Sequence, residues 1–207
     1  MPNLDPIYDT FDWVIQHTWP MLVLFIVILI VLRITKIFIN HEHMVFYKDF
    51  YQLLFIIYIL LLYYMLLSTE GATSGINLVP FREITRFSFM SKGFIYNTLG
   101  NIALFMPFGY FVSDYLKAQK VHHIFITAFI ISLTAELIQY KIGRAFDVDD
   151  ILLNVLGAIL GYFVYKFIQY IKEKLPSFLQ NNIFYNILAI LVLAIISFVF
   201  GRMWGFI

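Results

Sequence analysis

The chain of 207 residues is 61% hydrophobic and 13% charged, with a formal net charge of +1. Because soluble domains carry about 25% charged residues, this composition indicates a polytopic membrane protein. The charge balance gives no basic stripe for nucleic-acid binding, and the lack of cysteine excludes disulfides and thiolate chemistry.

Apolar stretches long enough to cross a bilayer occur six times along the chain. A bilayer core of about 30 Å requires about 20 residues of helix. The predicted spans are residues 19–40, 46–68, 97–116, 122–140, 150–171 and 183–201. We therefore predict an all-α fold, a membrane helical bundle in which residues 1–207 form a single domain.

Lysine and arginine predict the orientation, because they are in excess on the cytoplasmic side of membranes. Residues 1–18 contain neither, whereas the connection between the third and fourth spans carries Lys117 and Lys120 without an acid. We therefore predict both termini outside. The long loop 69–96 then lies on the outer side, and its amphipathic sequence predicts an interfacial or re-entrant helix.

The third span carries polar residues near its beginning. Asn97 and Asn101 are four residues apart and therefore share a helix face. Further along, Pro107 removes a backbone donor and is followed by Gly109, so we expect the helix to be interrupted there.

The fourth and fifth spans place polar side chains on single faces. Glu136 and Gln139 lie on one face of the fourth span, and an ionisable residue at a membrane helix centre costs about 2.5–3.5 kcal/mol. In the fifth span Asp150 and Asn154 share a face with Gly157 and Gly161. The two glycines form a GxxxG pattern that permits close helix packing.

These polar residues are all predicted at the outer ends of their helices, where they would line one pocket. Arginine forks suit phosphate, and carboxylates suit a divalent cation. The predicted catalytic candidates are Glu136, Asp150 and Arg144. The predicted ligand-binding residues are Asn77, Arg82, Asn97, Asn101, Gln139, Asp147 and Asn154, with Arg86 as a further phosphate candidate.

The same polar residues also have simpler, structural interpretations. Asp147, with its position just before a helix, has the pattern of an N-cap. Glu136 and Arg144 could form a structural ion pair between the fourth and fifth spans. Asp147, Asp149 and Asp150 could hold a cation or pair with arginines. The sequence does not indicate a cofactor.

Four sequence blocks carry a resemblance to a known family. They are INLVPF (76–81), NTLGNIALFMPFGY (97–110), TAELIQ (134–139) and GRAFDVDDILLNVLGAILGY (143–162). Together they resemble the VanZ-like family of bacterial membrane proteins over about residues 76–165. The family's recurring polar positions correspond to Asn77, Pro80, Phe81, Asn101, Pro107, Glu136, Gln139, Arg144, Asp147, Asp150 and Asn154.

The resemblance implies a multi-pass protein of the bacterial cell membrane with a role in glycopeptide resistance of the teicoplanin type. The predicted pocket favours binding of a lipid-linked or phosphate-bearing ligand at the outer leaflet. Modification of that ligand stays an open alternative, because the resemblance itself supplies no reaction. The expected partners are the lipid bilayer and a lipid-linked cell-wall intermediate or glycopeptide, without nucleic acid. The alternatives are a non-catalytic carrier with a buried carboxylate, and a polar cluster that only holds the helices together.

Overall fold

The chain folds almost entirely into helices, which confirms the all-α prediction. The computed structural model describes residues 5–41, 43–67 and 75–203. Contacts group these residues into two compact units. The central unit is Leu62–Ile171, and the flanking unit consists of the described residues on either side of it. The elements are α1 (Asp5–Asn40), α2 (Phe46–Leu67), β1 (Ile76–Asn77), α3 (Arg82–Arg86), a π-helix (Phe94–Leu99), α4 (Gly100–Leu116), α5 (Val121–Lys141), β2 (Phe146–Asp147), α6 (Val148–Lys174), a 3-10 helix (Ser177–Leu179) and α7 (Asn182–Met203).

Within the described part, five helices are long and apolar enough to cross a membrane, so the chain is a multi-pass membrane protein. They are Gln16–Asn40, Phe46–Leu66, Val121–Lys141, Val148–Lys174 and Asn182–Val199. The remaining predicted span, 97–116, corresponds to the end of the π-helix and α4. Because α4 has 17 residues, it reaches about 26 Å by itself, less than a bilayer core of about 30 Å.

The flanking unit contains α1, the first part of α2, and α7. The guanidinium Nε of Arg33 on α1 donates to Asp49 Oδ1 on α2 at 2.8 Å. The backbone N–H of Tyr47 donates to Asn186 Oδ1 on α7 at 3.0 Å. Polar contacts of this kind connect helices whose remaining surface is apolar, as expected where lipid offers no hydrogen-bonding partner.

In the central unit, α4 and α6 pack with their backbones in close approach. A Cβ added at Gly157 would overlap the backbone of Ile102, and one added at Gly161 would overlap the carbonyl of Met106. The prediction that the GxxxG pattern permits close helix packing is confirmed. We call this close contact between the two helices the seam. Because the helices run in the same direction along it, α4 and α6 begin at the same end of the unit.

The expectation that Pro107 and Gly109 interrupt their helix is wrong. Helix α4 continues through both residues to Leu116. Gly109 is buried, and a Cβ there would overlap the backbone of Ala158 on α6. Tertiary packing of this kind overrides the local penalty of a proline. The helix is irregular earlier, in the π-helix Phe94–Leu99.

Residues 75–93 form a docked segment, which fills most of the loop predicted at 69–96; residues 69–74 lie outside the described residues. Strand β1 pairs in parallel with β2, with Ile76 opposite Phe146 and Asn77 opposite Asp147. The short helix α3, of five residues, follows in the same segment, and the interfacial or re-entrant character expected of this loop stays a prediction. The docked segment therefore lies against the beginning of α6.

Candidate functional site

The polar site begins at the connection between α5 and α6. Glu136 is 1% exposed, and its Oε2 accepts a hydrogen bond from the backbone N–H of Asp147 at 3.0 Å. A buried carboxylate needs such donors, because desolvation otherwise disfavours its charged form. The carboxylate near the end of α5 thus fixes the backbone that leads into α6.

Asp147 immediately precedes α6 and acts as its N-cap. Its Oδ1 accepts the backbone N–H of Asp149 at 2.8 Å and also the side-chain amide of Asn77 at 2.8 Å. Burial raises the pKa of the Asp147 carboxyl above its ordinary value, although both hydrogen bonds lower the pKa in part. The N-cap interpretation of Asp147 is confirmed, and the same oxygen also holds β1 in place.

Asp149 attaches the docked segment to α6. Its Oδ1 accepts the N–H of Phe81 at 2.5 Å, and its Oδ2 accepts the N–H groups of Glu83 and Ile84 at 2.7 and 3.4 Å. Helix starts have unpaired N–H groups, and the N-cap residue of α3, Phe81, has no side-chain acceptor. The carboxylate of Asp149 therefore caps α3 from a distant part of the chain.

Asp150 extends the site towards α4. Its Oδ1 accepts the side-chain amide of Asn101 at 2.6 Å. The Asp150 carboxyl also interacts electrostatically with Glu136 and with the guanidinium of Arg144. Residues from α4, α5, α6 and the connection before β2 therefore meet at one end of the central unit.

One helical turn deeper, a second pair of polar side chains joins α5 to α6. Asn154 and Ser132 are 2% and 0% exposed, and the Asn154 amide Nδ2 donates to Ser132 Oγ at 2.9 Å. The Asn154 Oδ1 is also buried, and no partner for it occurs among the described residues. Such an orphaned acceptor indicates a place for a hydrogen-bond donor.

Removing the Ser132 hydroxyl tests this deeper pair. We expect Ser132→Ala to lower the free energy of unfolding by about 1–3 kcal/mol, because it leaves the Asn154 amide buried without an acceptor. Thr134→Ala is the control, since Thr134 is exposed and bonds to Ile130 O on its own helix. Denaturant unfolding in mild detergent measures both, and equal losses would show that the pair contributes nothing specific.

Two further side chains bind the end of α2 at the same site. The Gln139 amide Nε2 donates to the carbonyl oxygen of Leu66 at 2.7 Å, and Arg144 donates to that oxygen at 3.0 Å. The last carbonyls of a helix have no partner within the helix. Gln139 and Arg144 thus supply hydrogen-bond donors to a carbonyl oxygen at the end of α2. Arg144 also supplies positive charge near Glu136.

The other predicted binding residues lie outside this network. Asn97 is exposed, and its amide donates to Gly93 O at 3.0 Å. Arg82 is exposed on α3 and forms no side-chain hydrogen bond or ion pair with a described residue. Arg86 pairs with Glu83 at 2.9 Å. Of these residues, Arg82 is the one whose guanidinium stays available for an anion.

Sequence reasoning missed the roles of Asp149 and of the Leu66 carbonyl. One signal for Asp149 was present, because the residues just before α3, Pro80 and Phe81, offer no N-cap side chain. The capping group therefore had to come from elsewhere in the chain. For the possible cation site, no group of three His, Asp or Glu side chains suited to a metal ion occurs in residues 5–41, 43–67 and 75–203.

Comparison with known proteins gives one match. A family model described as VanZ/LLP1 matches residues 54–172, which is more than half of the chain and includes every residue of the polar site. No curated protein and no solved structure matched.

Proposed function

Because the chain belongs to the VanZ/LLP1 family of membrane proteins, we propose that it is an envelope protein that binds a phosphate-bearing lipid at the outer leaflet. The docked segment would present the binding groups, and the polar site beneath it would hold that segment in place. The observation that carries the proposal is the exposed guanidinium of Arg82, which no described residue pairs.

The surface around Arg82 has the character of a membrane interface. Leu78, Phe81 and Phe89 are 67%, 61% and 81% exposed, and Lys92 is exposed in the same segment. A surface that combines large apolar side chains with basic residues binds at the boundary between headgroups and acyl chains. A guanidinium at that level forms paired hydrogen bonds with phosphate oxygens.

Lipid binding by Arg82→Ala tests the proposal. We expect this variant to bind polyprenyl phosphate about tenfold more weakly, because a charge-assisted hydrogen bond contributes about 1.5–3 kcal/mol. Binding to the full chain in nanodiscs is measured by competition with a fluorescent polyprenyl phosphate. The uncharged polyprenol serves as the ligand control.

Lys120→Ala is the matched protein control. Lys120 is an exposed cation at the opposite end of the central unit, just before α5. It should leave phosphate binding unchanged. Equal binding of the phosphate and the alcohol, or equal losses in both variants, would contradict a phosphate site at Arg82.

The outer location and the resistance role follow from the same proposal. The charge distribution favours the polar site on the extracytoplasmic side, where a lipid-linked cell-wall intermediate is exposed to glycopeptides. Expression of the protein in a susceptible host should then raise tolerance to teicoplanin, and Arg82→Ala should reduce this effect at equal protein level. A label that reaches position 82 only from the cytoplasmic side would contradict the location.

A structural role for the polar site is favoured by a separate observation. Glu136, Asp147 and Asp149 all accept backbone N–H groups, as expected of residues that hold a loop in place. These carboxylates therefore support the docked segment, and ligand chemistry rests on Arg82 and Asp150. The alternative of a carrier function would be supported if the reconstituted protein transported a solute across the membrane.

A further inference from the structure

Near the beginning of α6, the polar site contains two acceptor atoms that no described residue supplies with a donor. Asp150 accepts one hydrogen bond, from Asn101 to Oδ1, and its Oδ2 accepts none from a described residue. Below it the Asn154 Oδ1 is buried and has no partner within residues 5–41, 43–67 and 75–203. Two acceptors on α6, about one turn apart, thus have no donor in the part of the chain that the structure describes.

The charges around Asp150 also favour a ligand that carries a positive charge. Its carboxyl interacts electrostatically with Glu136, Asp147 and Asp149, and among the described residues Arg144 is the cation that acts on it. Arg144 also donates to the Leu66 carbonyl. Closely spaced carboxylates disfavour their shared ionisation, so a cation with N–H donors would stabilise the site.

Arg82 and Asp150 belong to the same end of the central unit. Asp149 binds the N–H groups on either side of Arg82, those of Phe81 and Glu83, and Asp150 is the next residue along α6. The Arg82 guanidinium thus belongs to a segment attached to the first turn of α6, which carries Asp150, and Asn154 lies one turn further along. A ligand with a phosphate and a nearby ammonium would satisfy both.

We propose that the lipid bound here carries a primary ammonium group next to its phosphate, with the ammonium donating to Asp150 and Asn154 and the phosphate contacting Arg82. This inference rests on the proposed function and specifies its ligand class as an aminophospholipid. The unpaired Oδ2 of Asp150 receives the charged donor, and the Asn154 oxygen provides a deeper acceptor. A quaternary ammonium has no N–H and would leave both unsatisfied.

Native mass spectrometry of the full chain in detergent tests this with three lipids that have identical acyl chains. Phosphatidylethanolamine should bind about tenfold tighter than phosphatidylcholine, which has the same charge but no N–H, and than phosphatidylglycerol, which has no ammonium. Equal affinity for the first two lipids in the unmodified protein would overturn the inference. That comparison needs no variant and is independent of folding defects.

Variants then assign the preference to the two acceptors. Asp150→Asn and Asn154→Leu should each lower the affinity for phosphatidylethanolamine about tenfold and leave phosphatidylcholine unchanged. Asp114→Asn, near the other end of α4, should leave the preference intact. A preference that survives both variants would overturn the assignment to these residues.

The outcome separates this inference from the proposed function. If all three lipids bind equally and Arg82→Ala weakens all of them, the phosphate site stands and the ammonium site is excluded. If Arg82→Ala changes nothing while the ethanolamine lipid is still preferred, the phosphate site is excluded. Displacement of the lipid by soluble phosphoethanolamine at equal concentration would identify a free headgroup, and not a lipid, as the ligand.

Discussion

Asp149→Ala should release the docked segment from α6. The substitution removes the acceptor of the Phe81, Glu83 and Ile84 N–H groups. Asp149 is 1% exposed, so water does not readily replace the carboxylate. Removing one partner of a buried charge interaction costs about 3–5 kcal/mol. We expect a loss of similar size in the free energy that holds the docked segment against α6.

Hydrogen–deuterium exchange of the protein in nanodiscs measures this loss. The amides of Phe81 and Ile84 should exchange at least a hundredfold faster, since each 1.4 kcal/mol of local stability is about a factor of ten. Asp149→Asn, which retains one carbonyl oxygen, should give an intermediate change. Unaltered exchange in Asp149→Ala would show that the segment is held by other contacts.

Asp114→Ala is the matched control for this experiment. Asp114 is also an aspartate of the central unit, but it pairs with the exposed Lys117 at 3.0 Å. Exposed ion pairs contribute about 0–1 kcal/mol. Its substitution should leave exchange at Phe81 and Ile84 unchanged, which separates the effect of Asp149 from a general loss of carboxylate charge.

The backbone of Phe81 adds to the expected effect. Its φ of 66° lies in the left-handed region, which a bulky residue seldom occupies. The hydrogen bond to Asp149 helps to hold this conformation. Once the carboxylate is gone, Phe81 is free to adopt an extended backbone, and the beginning of α3 loses both its cap and its geometry.

Gly161→Ala should weaken the packing of α4 on α6. The added Cβ would overlap the carbonyl of Met106 and approach the N–H of Tyr110. Because both are backbone atoms, a side-chain rotation cannot relieve the overlap. Overpacking of this kind costs about 1–3 kcal/mol or more, and we expect Gly157→Ala to have a similar effect against Ile102.

Gly100→Ala is the control for the seam. Its added Cβ would be 3.6 Å from Ile95 O, an ordinary contact distance, and Gly100 lies in a helix. Alanine there should be neutral or stabilise by up to about 1 kcal/mol. Thermal unfolding in mild detergent compares the three variants, and a Gly161→Ala protein as stable as Gly100→Ala would refute the close seam.

Periodicity was sufficient to predict the long helices and to bring Asn101 and Asp150 together, although Asn97, predicted on the same face as Asn101, is exposed outside the polar site. Asn101 and Asp150 were assigned to inward faces by spacing alone, and the structure joins them by a hydrogen bond. The N-cap position of Asp147 was also readable, because caps are local. These features depend on residues within one or two helical turns of each other.

Contacts between distant parts of the chain could not be predicted from one sequence. Asp149 meets Phe81, and Gln139 meets Leu66, across separations of 68 and 73 residues. The spacing of residues within a helix says nothing about such partners. Arg82 and Arg86 also looked equivalent, although the i,i+3 spacing of Glu83 and Arg86 was a local signal for the ion pair that the structure contains.

The neighbouring aspartates at the start of α6 restrict how this turn can evolve. Asp149 faces the docked segment and Asp150 faces Asn101, and consecutive residues on a helix differ in direction by roughly 100°. Inserting or deleting one residue beside them would rotate one carboxylate away from its partner whichever way the helix adjusted. Relatives that share both contacts should therefore vary in side chains along this turn but keep its length.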